Sequence, residues 1–225
     1  MSLANELRMG WRYARGLIPF LRRGALIGDP AAKIKAQLAG REDLFLSALH
    51  ASVFANERSP YLRLLKHAGA TEQDVARLVH QDGVEAALRS LYNAGVYITL
   101  DEFKGRRPIA RPGLELPVKA SSFDNPLSKG QLQGVTGGSR TNGTRVVLDL
   151  DDLDDECAAG VLWLQANHAL TSPEVYWRVA APAVGALKWI LVWARLGVPV
   201  VRWYTQTRPG PRSPGGMRGA VVHIT

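Results

Sequence analysis

The residues best suited to chemistry lie in "TGGSRTNGTR": Thr136, Gly137, Gly138, Ser139, Arg140, Thr141, Asn142, Gly143, Thr144 and Arg145. Glycines let backbone amides come close to an anion, and the Ser and Thr hydroxyls add donors. Arg140 and Arg145 add positive charge, and no carboxylate interrupts the run. This is the chemistry of a grip on phosphate oxygens. A flexible connector needs fewer hydroxyls, and a hairpin needs only a two-residue turn such as Asn142-Gly143. The run is not a Walker A loop, because it lacks the Gly-Lys-Ser/Thr ending and leads into the strand-like "TRVVLDL". Nor is it the dinucleotide fingerprint, which follows a strand and opens a helix. The competing reading is an exposed connector rich in small polar residues.

Other reactive residue types have simpler explanations. The acids Asp149, Asp151, Asp152, Asp154, Asp155 and Glu156 lack the turn glycine and the distant glutamate of a calcium loop. Acids favour the first turn of a helix, and Asp151 or Asp152 is expected to cap one here. His50, His67, His80, His168 and His223 are scattered, with no pair at the spacing of a helical zinc site. Cys157 has no histidine near it in sequence and is expected to be a packed, buried thiol. Trp163, Trp177, Trp189, Trp193 and Trp203 crowd the last third and are expected mostly in the core.

The elements that must position these residues follow from punctuation and periodicity. The first 95 residues read as helices. Ser59 with Pro60 opens one; Thr71 with Asp74 and Asp82 with Glu85 form capping boxes for two more, the second closed by Gly95. Val96, Tyr97 and Ile98 are strand-like, and Thr99 with Glu102 caps a single turn that Gly105 stops. Residues 96–130 then read as an extended, proline-rich linker. From residue 131 the order is loop, strand, helix, strand, helix, strand, which predicts an α/β fold with a mostly parallel sheet and covering helices.

The same residues resemble a known family. The string "TGGSRTNGTR" is similar to the Ser/Thr/Gly-rich phosphate loop of the adenylate-forming acyl ligases, in their phenylacetate-CoA ligase-like and acyl-protein synthetase-like branches, where a run like "SSGTTGKPT" precedes a strand. Thr136, Gly138 and Ser139 match at the front, and Gly143 with Thr144 at the back. The lysine of "GKP" has no counterpart, and Arg145 is its nearest substitute. "SPYLRLLKHAG" is similar to that branch's "PFYRRLLEEAG", and "AGVYITLDEFKG" resembles its "LPVTTKEDLR", so the resemblance covers roughly Ser59 to Tyr204. It implies ATP with Mg²⁺, a carboxylic acid that attacks the α-phosphorus to give an acyl-adenylate and pyrophosphate, and a thiol acceptor such as CoA or a carrier protein. It also implies that this chain is the N-terminal part of such a ligase, with residues 131–225 a truncated nucleotide-binding subdomain. The expectation from another class is a non-catalytic, basic fragment of ligase-like fold that binds a partner or a membrane surface.

Composition sets the outer bounds. With 225 residues, 46% of them hydrophobic, the chain can bury one large core or two modest ones. A single cysteine excludes an internal disulfide framework, which makes cytoplasm the expected compartment. The net charge of +8 favours phosphate-bearing partners. Its segregation, with arginines in "RPGPRSPGGMRG" and acids in "LDLDDLDDE", argues against a continuous groove for nucleic acid. The run Val179 to Val201 is interrupted by Lys188, Arg195 and two prolines, which argues against a transmembrane span. At the N-terminus Leu3, Leu7, Trp11, Ala14, Ile18 and Leu21 form a helical stripe beside arginines. Such a helix can lie on an anionic membrane, but the stripe is expected to pack on the rest of the fold.

Overall fold

A computed structural model describes residues 3–23, 28–130, 132–135, 145–177, 184–198 and 200–204. In chain order the described elements are α1 (Leu3–Arg22), α2 (Pro30–Ala39), α3 (Arg41–Leu49), α4 (Pro60–His67), α5 (Glu72–Asn93), α6 (Leu100–Phe103), β1 (Ile109–Arg111), β2 (Leu114–Leu116), β3 (Leu132–Val135), β4 (Arg145–Leu148), α7 (Leu153–Ala166), β5 (Glu174–Trp177), α8 (Val184–Leu196) and β6 (Val200–Tyr204). The fold is mixed helix and strand. None of the described helices is long and apolar enough to cross a membrane. Contacts divide the chain into two units, residues 35–128 and residues 1–34 with 129–225.

In the 35–128 unit, α3 to α5 close on Val53, Leu62, Leu65, Val75, Val79, Val84, Ala87 and Leu91. Pro60 starts α4 as its fixed φ requires, although the Ser59 side chain makes no cap bond. The two short helices expected after Thr71 form one stretch, α5, broken by the non-helical Gly83 (φ 80°), one residue past Asp82. At its start the Thr71 hydroxyl accepts the Asp74 N–H at 3.2 Å, and the Thr71 N–H reaches the Asp74 carboxylate at 3.0 Å. The Thr71 hydroxyl also donates to the Asp74 carboxylate at 2.5 Å, and this bond, followed by that from the Thr71 N–H, holds the Asp74 carboxyl below its ordinary value. Thr71→Ala is expected to cost about 1 kcal/mol in urea unfolding, with Thr71→Ser restoring most of it.

Val96, Tyr97 and Ile98 form no strand. Tyr97 instead stacks on Tyr92 at 4.8 Å between centroids and lies 3.8 Å beneath the Arg111 guanidinium. The capping box of Thr99 with Glu102 is present, and Gly105 (φ 65°) ends the turn. Within the proline-rich passage, β1 and β2 pair antiparallel across Pro112-Gly113, with Ile109 opposite Leu116. A 3-10 turn follows at Ala120–Phe123.

In the other unit, β3 and β4 pair antiparallel from Leu132 opposite Leu148 to Val135 opposite Arg145, and α1 and α8 pack against this hairpin. Phe20, Leu148, Leu150, Leu153, Cys157, Leu191 and Val192 form the core. A second cluster, Leu164, Tyr176, Trp193 and Val198, lies toward the parallel pair β5/β6, whose crossover is α8. The mostly parallel sheet expected from the alternation is thus not what the described residues form. They make three separate two-stranded pairs, of which only β5/β6 is parallel. β1 and β2 are joined by the short Pro112-Gly113 turn, which permits only an antiparallel pair, and among the three pairs only β5/β6 is bridged by a helix; α7 also separates β4 from β5, yet those two strands do not pair.

The N-terminal stripe also faces the other way from the expectation. Trp11, Ile18 and Leu21 are 62%, 56% and 49% exposed, while Tyr13, Leu17 and Phe20 on the opposite side enter the core. At 100° per residue Arg15 and Arg22 fall on the same side as Trp11 and Ile18, so burying that stripe would bury two guanidinium groups. The Tyr13–Leu17–Phe20 stripe carries no such penalty.

Candidate functional site

The hairpin β3/β4 determines where the glycine-rich run is held. The β-branched Val146 and Val147 suit a strand, and Leu148 turns into the core. At the base of the hairpin Asp149 acts as a clasp. Its carboxylate accepts the Lys129 N–H at 2.6 Å, just before β3, and the Asp151 N–H at 3.1 Å, at the turn into α7. Residues 136–144 therefore connect the strands at the end opposite the clasp, between Val135 and Arg145. Thr136, Gly137, Gly138, Ser139, Arg140, Thr141, Asn142, Gly143 and Thr144 lie outside the described residues; Arg145 is the first residue of β4.

The acidic run beyond β4 is an ion-pair hub. Asp152 occupies the N-cap position of α7 without a side-chain cap bond, so the capping expected there is absent. Instead Asp154 receives Arg195 at 3.1 Å on one oxygen and Arg23 at 3.1 Å on the other. Asp155 receives Lys33 at 2.7 Å, Glu156 receives Lys188 at 2.6 Å, and Asp151 receives both Arg23 and Lys129. Lys129 and Arg23, through hydrogen bonds, hold the Asp151 carboxyl below its ordinary value. Asp152 is pushed the opposite way, by partial desolvation and then by the neighbouring charges of Asp149, Asp151, Asp155 and Glu156. In sequence Lys188 and Arg195 only interrupt an apolar run. Their signal was that interruption, since a cation retained on an apolar helix needs a carboxylate partner.

Two adjoining cavities open here. A cleft of about 320 Å³ lies between β4 and the starts of α7 and α8, with Asp149, Asp152, Glu156 and Lys188 among its walls. A larger one of about 730 Å³ is walled by Trp163, Tyr176, Trp177, Trp189 and Trp193, with Glu174 at its polar side. Glu156 and Trp189 line both. The tryptophans expected in the core are divided: Trp193 is buried, but Trp163 and Trp177 are 58% and 72% exposed on the cavity wall.

Cys157 faces away from these cavities' chemistry. It is fully buried, and burial, followed by the nearby Asp154 carboxylate, pushes its thiol up to about 11. Such a thiol is a poor nucleophile. Among the described residues no three His, Cys, Asp or Glu side chains are grouped to hold a metal ion. His50 instead meets Glu72 at 2.7 Å, and His67 meets the Pro112 carbonyl at 3.0 Å. In comparison with known proteins, no family model, no curated protein and no solved structure matches this chain.

Proposed function

We propose that this chain is the N-terminal part of an ATP-dependent, adenylate-forming acyl ligase of the phenylacetate-CoA ligase-like kind. The observation that carries the reading is the placement of "TGGSRTNGTR": it joins two antiparallel strands clasped at their far end by Asp149, and the order α7, β5, α8, β6 follows with β5 and β6 parallel. A glycine and hydroxyl run anchored at both ends can offer its main-chain N–H groups to a triphosphate, with Arg140 and Arg145 adding charge. In this reading bound Mg²⁺ would supply charge neutralisation for the phosphates, carried in with the nucleotide. The chain's own part is to bind and orient the nucleotide through residues 136–145. The aromatic cavity beside α7 and α8 suits the apolar body of a carboxylic acid. CoA or a carrier-protein thiol is the acceptor of the acyl group, and cytoplasm, where ATP and reduced thiols are at hand, is the proposed compartment.

Binding of ATP tests this directly. With Mg²⁺ and ATP at about ten times its dissociation constant, linkage predicts roughly 1.4 kcal/mol of stabilisation. For a chain of this length that is a rise of roughly 3–6 °C in melting temperature. Gly138→Asp puts a carboxylate against the phosphates and is expected to abolish the rise, read relative to the variant's own ATP-free melting temperature. An equal rise in the variant, or none in the wild type, would remove the basis of the reading.

A further inference from the structure

The outward side of α1 is a large apolar strip that three arginines flank without carboxylate partners among the described residues. Trp11, Ile18 and Leu21 follow one another at seven and three residues, and all are about half exposed or more. Arg12, Arg15 and Arg22 are exposed beside them, and none forms an ion pair among the described residues. The Arg15 guanidinium rests 5.2 Å from the Trp11 ring centroid. Arg23, one residue further, contrasts with these three because Asp151 and Asp154 hold it at 3.0 and 3.1 Å. Among the described residues Asp151, Asp154 and Asp155 are thus already matched by Arg23, Lys33, Lys129 and Arg195. The inner side of the helix is fixed by Tyr13, Leu17 and Phe20, so the outer side is presented in a set orientation.

We propose that this face of α1 docks on an anionic lipid bilayer. Trp11, Ile18 and Leu21 enter the boundary between headgroups and acyl chains, while Arg12, Arg15 and Arg22 extend to the lipid phosphates. Charge chooses this occupant over a second copy of the chain, because a symmetric dimer through the same face would bring two sets of unpaired arginines together. An anionic surface instead supplies the counter-charge along the whole strip. A tryptophan at the edge of an apolar strip suits the interface, where its ring is buried and its N–H stays near water.

The test is co-sedimentation of the full chain with vesicles of phosphatidylcholine alone and of phosphatidylcholine mixed with phosphatidylglycerol. The expected result is binding to the mixed vesicles only, weakened by added salt. Each arginine near such a surface is worth about fivefold in partitioning, so Arg12→Gln, Arg15→Gln and Arg22→Gln together are expected to lower binding on the order of a hundredfold. Removing three charges from the other unit, by Arg63→Gln, Lys66→Gln and Arg89→Gln, should leave binding close to wild type. Trp11→Ser is expected to cost about tenfold with an unchanged melting temperature, since the side chain is exposed. Trp11→Phe should keep most of the binding while losing the part of the fluorescence blue shift that Trp11 supplies. Three results would overturn the proposal: equal binding to both vesicle types, equal loss from both charge triples, or no vesicle binding by a chain that self-associates through Trp11.

Discussion

Arg111→Ala is expected to destabilise the 35–128 unit by roughly 3–5 kcal/mol, the cost of removing one partner from a buried ion pair. Arg111 and Glu102 meet at 2.8 Å with side chains only 7% and 4% exposed. The guanidinium also donates to the Gly95 carbonyl at 3.0 Å, to the Ala110 carbonyl at 2.7 Å and to the Tyr97 carbonyl, and it covers the Tyr97 ring. It therefore joins β1 to the chain on both sides of Tyr97, and its loss leaves Glu102 buried without its cation. Glu102→Gln should cost less, because the amide oxygen can still accept from the Thr99 N–H, now 2.7 Å from the carboxylate. The pH dependence gives a second readout. Burial pushes the Glu102 carboxyl up, but the Arg111 hydrogen bond and those from Thr99 outweigh it and bring it from 4.5 to about 2. A depressed carboxyl contributes stability that is complete above the unfolded value and is lost as pH falls through the folded one. About 3 kcal/mol should therefore disappear between pH 4.5 and 2, and Glu102→Gln should flatten that part of the profile. All the tryptophans lie outside this unit, so far-ultraviolet circular dichroism rather than tryptophan fluorescence is the measurement. A variant as stable as wild type at neutral pH would show that Arg111 is not the tie described.

What could be read from the sequence here is what local chemistry decides. Thr99, Glu102 and Gly105 specify a capped single turn within seven residues of chain, and that turn is present. The helices α7 and α8 and the strands β4, β5 and β6 were legible from apolar runs broken by turn residues. Partners distant in sequence were not. Val96 to Ile98 have strand composition, yet Tyr97 is held by Arg111, whose approach depends on the β1/β2 hairpin. The acids at the start of α7 read as caps, but their partners Arg23 and Lys33 come from more than a hundred residues earlier. The strand β3 was hidden in what read as loop, since "LQGV" gains strand character only from its pairing with β4. On α1 the stripe through Trp11, Ile18 and Leu21 is expected to pack inward, but Tyr13, Leu17 and Phe20 repeat at the same period and enter the core instead, because Arg15 and Arg22 share the side of Trp11. Of the phosphate-grip residues only Arg145 is among those described, so the candidate site rests on its flanks: the hairpin, the Asp149 clasp and the neighbouring cavities.

Gly105→Ala is expected to destabilise the same unit by roughly 2–5 kcal/mol, and a second glycine lets this figure be divided. Gly69 and Gly105 both follow a helix with left-handed backbone, at φ 69° and 65°. An L side chain in that conformation costs about 1–2 kcal/mol in either place. Around Gly69 an added methyl group would meet nothing within 4 Å, so Gly69→Ala should show that conformational cost alone. At Gly105 the methyl would stand 2.9 Å from the Lys119 Cα, 3.1 Å from the Val118 carbonyl oxygen and 3.2 Å from the Ala120 nitrogen. These are backbone atoms, which cannot rotate aside as a side chain would, so either the 118–120 segment or the turn ending in Gly105 must move. Forced overpacking of this sort costs about 1–3 kcal/mol more. The Gly105 N–H donates to the Glu102 carbonyl at 2.9 Å, so displacement of the turn also disturbs the residue paired with Arg111. Urea unfolding of the two variants side by side separates the terms. Equal losses would mean that the 118–120 segment yields freely and that the close approach at Gly105 contributes nothing to stability.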